Sequence, residues 1–401
     1  MKKLALIIAA MMTVAFVAPA FAADNLSLSG SFQVRGWDVN AEDAADDASY
    51  FDQRMRVQAK ITASDNAYVV IRADMGDAQW GSATGFNGVI QRPGRTTNSE
   101  QIDFDRLYGH FEQDNWALTI GQQYLGLGIL EVLDANMVAA KVRLKFGAIE
   151  PSLIYGKISE NGSTNDDGAF DDSDLYAINV SFDVAGFDSN VFYAMADDDG
   201  AADTTAWALG FHTAGKLGMV GLVAELSFLG GDAAANVDYE GTQFYLKADS
   251  DLNDALNVGA EFLWAAGENE ADEQQLTNLA DFGDFTIADT NAPCATDVVV
   301  VGTNGPFDFT DDNAGVVGAS LFGSYKVSAD LSFGGKFAYL TPEEDAATDV
   351  DSLMSTTVWA GYNLGSNTSL VLLYNIANAE FDTGAADEDV KTLYARFLIS
   401  F

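Results

Sequence analysis

The sequence is poor in the residues that most enzyme chemistry uses. Among 401 residues it has one cysteine and two histidines. Cys294 therefore has no partner for an internal disulfide. His110 and His212 both fall in stretches that read as strands, and neither lies beside a nucleophile motif such as Gly-x-Ser-x-Gly. No phosphate loop, haem attachment motif or metal-ligand cluster is present. The reading is a protein that is not an enzyme and holds no cofactor. Bases are scarce as well, with 20 Lys and Arg against 60 Asp and Glu and a net charge of −40. That balance repels phosphate and argues against nucleic acid as a partner. Beyond the first residues there is no apolar run long enough for a transmembrane helix.

Much is nevertheless apolar. Hydrophobic residues make up 48% of the chain and aromatic ones 11%, too many for a disordered segment. The N-terminus has a basic start (Lys2, Lys3), an apolar stretch from Leu4 to Val17, and small residues in Ala20-Phe21-Ala22. This is the three-part pattern of a secretory signal, predicting removal of residues 1–22 and a single domain over 23–401.

The apolar residues of that domain alternate. Leu26, Leu28, Phe32 and Val34 interleave with Ser27, Ser29, Gln33 and Arg35. Met55, Val57 and Ala59 interleave with Arg54, Arg56, Gln58 and Lys60, and Val138, Ala140, Val142 and Leu144 with Lys141, Arg143 and Lys145. A period of two places the two sets on opposite faces of a strand. Eighteen such segments run from 25–37 to 390–401, or sixteen if one pair is a division too many. Their connections alternate between tight polar turns, such as Asp114-Asn115, and long acidic stretches, the longest at 267–314. An all-β transmembrane antiparallel barrel with short periplasmic turns and long outer loops has this rhythm, and an even strand number returns both termini to one side. Trp37, Trp80, Trp264, Tyr124 and Tyr339 lie near strand ends, where interfacial girdles sit, although Trp37 is on the polar parity and Trp359 is mid-strand.

The last strand ends at Phe401, and Ile399 and Phe397 precede it at steps of two. It resembles the terminal strand by which the barrel assembly machinery recognises outer-membrane proteins. With Arg106-Leu107-Tyr108-Gly109-His110-Phe111, the turn at Asp114-Asn115 and the strand Trp116 to Tyr124, the chain resembles the general porins of Gram-negative outer membranes. Where those porins commonly carry Gly-Arg-Gln, this chain has Gly121-Gln122-Gln123 and so lacks the expected Arg. The resemblance implies a water-filled channel for small polar solutes, a homotrimer, and contact with outer-membrane lipid and lipopolysaccharide. It also implies that the segment after Tyr124, about 125–136, folds into the lumen. The apolar content of that segment (Leu125, Leu127, Ile129, Leu130, Val132, Leu133) fits burial against the inner wall.

Strand parity predicts Arg35, Arg54, Arg56, Lys60, Arg72, Arg106, Lys141, Arg143, Lys145 and Lys157 as lumen-facing, with Tyr155 on the same parity. Glu131 and Asp134 in the inward segment would oppose them across a narrow passage. The net charge leans the expected ion preference weakly toward cations. Divalent cations at the acidic loops are a further expectation, since Asn165, Asp167 and Asp171 partly match a calcium loop. That match is incomplete, because Ser163 stands where the loop wants its first acid. A substrate-selective channel of the same architecture, or a non-conducting barrel with an adhesive or structural role, would show the same pattern.

Overall fold

The alternation closes into a wall. The computed structural model describes residues 25–41, 48–80, 102–130, 132–159, 173–198, 204–234, 237–267, 273–276, 279, 314–344, 350–381 and 388–401. Residues 1–22, expected as a secretory signal, Glu131, the calcium-like stretch with Asn165, Asp167 and Asp171, and Cys294 lie outside them.

In chain order the strands are β1 (Leu26–Ala41), β2 (Ala48–Ser64), β3 (Ala67–Gln79), β4 (Ile102–Gln113), β5 (Trp116–Leu127), β6 (Leu133–Leu144) and β7 (Ile149–Ser159). There follow β8 (Ser173–Val184), β9 (Phe187–Asp198), β10 (Thr204–Leu217), β11 (Val220–Ala234), β12 (Val237–Asp251) and β13 (Leu256–Ala265). After a three-residue β14 (Glu273–Gln275) come β15 (Val316–Lys326), β16 (Leu331–Thr341), β17 (Val350–Gly365), β18 (Thr368–Phe381) and β19 (Glu388–Ser400). Eighteen of them pair antiparallel with their neighbours as one closed barrel. The eighteen are the number read from the alternation. The extra one, β14, pairs parallel with β12 through Asp238–Glu240, the stretch that the shorter β13 leaves uncovered.

Closure is made by β1, which pairs with both β2 and β19. Phe401 finishes the seam: Gly30 N–H donates to its carbonyl at 2.8 Å and its own N–H donates to the Gly30 carbonyl at 3.0 Å. The Phe401 ring lies over Gly30, where a side chain would collide with it. A closed barrel satisfies every ladder and leaves no edge, the condition for strands to stand in hydrocarbon.

The tight turns pin the register. Ala185 and Gly186 have φ of 55° and 82°, the left-handed pair that a two-residue hairpin requires, and they join Val184 to Phe187. Asp65-Asn66, Asp114-Asn115 and Ser366-Asn367 also join neighbouring strands through two polar residues, without the left-handed backbone. With the register fixed, one face of each strand is apolar and exposed, as at Leu28, Phe51, Val138, Leu153 and Leu321. Leaving such side chains in water forfeits roughly 1.5–3 kcal/mol each, which lipid contact recovers. The other face turns inward and carries the charges.

The core lies inside the barrel. Its two larger clusters include the end of the β5–β6 hairpin, and a smaller one joins Trp359, Val371, Leu373 and Tyr394.

Candidate functional site: the constricted interior

The hairpin leaves the wall. β4 pairs with β5 only as far as Gln122, and β6 pairs with β7 only from Val138 onward. Between those points β5 and β6 pair with each other, from Gln123↔Met137 to Leu127↔Leu133. Gly121, at φ 122°, allows the departure, and a side chain there would strike the Leu107 carbonyl. The segment expected at 125–136 as an inward loop is thus largely strand: Leu125 to Leu127 close β5 and Leu133 to Asn136 open β6. Its apolar residues take up the ladder because they alternate as well as a strand does.

One face of this arm packs on the wall. Leu125, Leu127, Val132 and Leu133 are buried with Ile154, Leu175 and Phe192. Ala177, Ala194, Ala196 and Ala208 face inward there, and their small size leaves the space the arm fills. Leu130 at the tip reaches the far wall and packs with Leu263, Leu340 and Leu353. The opposite face of the arm carries Tyr124, Asn136 and Asp134. Tyr124 is therefore not a girdle residue. It stands under the Arg106 guanidinium, 5.4 Å from ring centre to Cζ, because β5 has left the wall before reaching it.

The wall from β1 to β6 is basic. Arg35 and Asp52 form a buried pair at 2.6 Å, and Trp37 Nε1 donates to the same carboxylate at 2.8 Å. Trp37 also meets the Tyr394 ring edge-on inside the barrel, so it too is no girdle residue. Arg54 is buried beside Gln33 in the register. Arg56 holds Asp74 through two hydrogen bonds of 2.6 and 2.7 Å, and Arg72 holds Asp105. A β-bulge opposite Arg72 and Ala73 gives β4 an extra residue, Asp105, next to Arg106. Lys60 lies 4.0 Å from the centre of the Tyr68 ring. Further along, Arg143 lies 3.4 Å from Glu150 and 3.5 Å from Glu112, and Lys145 pairs with Glu112. Among the described residues no carboxylate forms an ion pair with Lys141, Arg106 or Lys60.

Lys141, Arg106 and Arg143 border a cavity of about 390 Å³, together with Tyr68, Tyr108, His110 and Tyr124. His110 is held in place there by Thr119 Oγ1 at 2.9 Å and by stacking on Tyr68.

Lys157 does not belong to this group. It pairs in register with Val138, whose side chain is on the outer face, and it bonds Asp174 at 2.9 Å. Tyr155 stands beside it on that face and donates to the same carboxylate at 3.1 Å. Lumen parity for these two fails because β7 presents Ser152, Ile154 and Gly156 inward.

The opposite wall holds carboxylates that parity reading did not single out. Glu261 on β13 is bound by Lys336 at 2.7 Å, Lys247 at 3.4 Å, Ser320 at 2.8 Å and Tyr245 at 3.2 Å. Glu225 on β11 is fully buried and accepts from Ser227 and from the Ile129 backbone N–H of the arm. The available signal was an acid at mid-strand on the inward parity, in a chain whose other acids lie mostly in loops.

No protein-family model and no curated protein sequence matches this chain. Its structure is similar to solved barrels. One is OccAB4 of Acinetobacter baumannii, with a TM-score of 0.59, 12% identity, and 94% of this chain and 99% of that chain covered. A second is OpdK of Pseudomonas aeruginosa, solved with vanillate, at TM-score 0.56 and 11% identity, with 94% and 99% covered. A third is the anion-selective porin from Comamonas acidovorans, at TM-score 0.52 and 10% identity, with 94% and 99% covered. The closed antiparallel wall of 18 strands gives this chain the fold of the Gram-negative outer-membrane porins.

Proposed function

We propose that the chain is an outer-membrane channel through which small polar solutes diffuse, with its narrow level set by the β5–β6 arm. The observation that carries this reading is a closed barrel whose inward face is charged around a cavity while its outward face is apolar. The same reading has residues 1–22 removed on export, the Phe397-Ile399-Phe401 strand used for barrel assembly, and three copies assembled in lipid and lipopolysaccharide.

A narrower reading is favoured by the cavity itself. Arg106, Lys141 and Arg143 on one wall, with Tyr68, Tyr108 and Tyr124 around them, suit a small anion with an apolar ring. The barrels with this fold include one solved with vanillate and one that is anion-selective, which supports the reading. The net charge of −40 points the other way, but around the cavity itself Arg106, Lys141 and Arg143 outnumber the one carboxylate, Glu112. Planar-bilayer recording tests both. Ohmic steps indifferent to added vanillate indicate general diffusion, and steps that vanillate blocks indicate selectivity. A folded, inserted protein giving no steps is a non-conducting barrel and overturns the proposal.

A further inference from the structure

We infer that Glu225 is the anchor that fixes how far the β5–β6 arm closes the barrel, a positioning residue for whatever passes. The inference rests on the channel reading for its consequence, and on geometry alone for the anchor.

From Gln123 to Met137 the arm has no strand partner except itself. Its apolar contacts hold it inside but do not set its position, because hydrophobic attraction is non-directional. Directional contacts must do that. The Val132 carbonyl accepts from Leu279 N–H at 2.9 Å, which ties the arm to a residue outside the barrel strands. The tie to the wall is made at the tip, where Ile129 N–H donates to Glu225 Oε2. The other carboxylate oxygen accepts from Ser227 Oγ at 3.1 Å, and His212 Nδ1 lies 3.4 Å from Oε2. Each side of this contact needs the other. A buried carboxylate is costly unless hydrogen-bonded, and a turn N–H buried without an acceptor is costly too.

Gly128 shows how closely the tip is fitted. Its φ is 77°, in the left-handed region, and a Cβ there would fall inside contact distance of the Glu225 carboxylate. A side chain there forces either the tip or the Glu225 carboxylate to shift, and either shift disturbs the contact. Leu130 next to it carries the closure to the far wall, so a shift at Glu225 moves the Leu130 contact with Leu263 and Leu340 as well.

The test uses the full chain in wild-type form and as Glu225→Ala, Glu225→Gln, Gly128→Ala and the double variant Glu225→Ala/Gly128→Ala. Heat-modifiability confirms folding, single-channel recording reads the bore, and amide exchange of the peptide around 123–137 reads the arm. Glu225→Ala and Gly128→Ala should each change the conductance by about twofold or more, with added substates, because conduction follows the open section. Both should lose amide protection in the arm. Glu225→Gln keeps an acceptor oxygen and should stay near wild type. The double variant should lose less than the sum of the two single losses, because removing the carboxylate removes the clash with position 128 and leaves only the left-handed strain there. Wild-type conductance and protection in folded Glu225→Ala overturn the anchor. If that variant does not fold, the same result in Gly128→Ala overturns it. Loss of protection in variants of a protein that never conducts keeps the anchor and overturns the channel instead.

Discussion

The two sides of the barrel interior use charge differently. On the β1–β6 side, bases outnumber acids, and Arg56, Arg143 and Lys145 keep between a quarter and two-fifths of their side chains exposed. On the β11–β16 side, Glu225, Glu261 and Lys336 are at most 3% exposed, and each is consumed by partners within the protein. Apart from Arg54 and the buried Arg35–Asp52 pair, the bases of the first side are offered to whatever enters the barrel, whereas Glu225, Glu261 and Lys336 of the second hold strands and arm together. Facing inward is therefore not the same as being available. Availability depends on whether a neighbouring strand delivers a counter-charge, and on whether the arm covers the pair.

The largest expected effect is on the spent side. Glu261→Ala leaves Lys336 and Lys247 facing a gap, and breaking a buried pair in this way costs roughly 3–5 kcal/mol. The variant should lose its heat-modifiable form at clearly lower temperature or denaturant than wild type. Unfolding at the wild-type midpoint would show that the pair is already wet, and the comparison would collapse.

A change on the offered side should alter transport more than stability. Reversing Arg54 and Arg56 to Glu should raise cation preference, but it also places a carboxylate beside Asp74, which now depends on Arg56. Lys141→Glu is the cleaner variant, because no described carboxylate pairs with Lys141. Its reversal potential in a salt gradient should move toward cations severalfold in permeability ratio, and the shift should shrink as salt shortens the Debye length to about 3 Å near 1 M. An unmoved potential at low salt in the folded variant would place Lys141 out of the ion path.

Arg143→Ala should cost stability only about 0–1 kcal/mol, as partly exposed pairs do, measured by the same thermal shift. A loss as large as that of Glu261→Ala would erase the distinction between the two walls. The smallest effect is predicted for Lys157→Gln. Its partner Asp174 and its neighbours Tyr155 and Tyr176 are on the outer face, so the reversal potential should not change. A shift equal to that of Lys141→Glu would return Lys157 to the interior.

Strand number and closure were legible in the sequence, because a period of two leaves each residue only two directions; the same period sets Arg54 with Arg56, and Lys141 with Arg143, on one parity of their strands. Lys157 shows the limit: alternation fixes which residues share a face within a strand but not which face is which, and β7 has apolar residues on both. Trp37 and Tyr124 show another limit. An aromatic near a strand end reads as an interfacial anchor, yet Trp37 is drawn inward by Asp52, and Tyr124 lies where its strand has already left the wall.

By itself, the sequence determined that this chain is a barrel, since alternation, turn chemistry and the apolar terminal strand are local properties that each residue carries wherever it is. What only the tertiary structure decided is the interior. Asp52 and Asp105 meet Arg35 and Arg72 across strand pairs, and Glu225 meets Ile129 although 96 residues separate them along the chain. Such contacts depend on register, on a bulge and on where the arm bends at Gly121. Those are set by the whole closed sheet, so no stretch of sequence contains them.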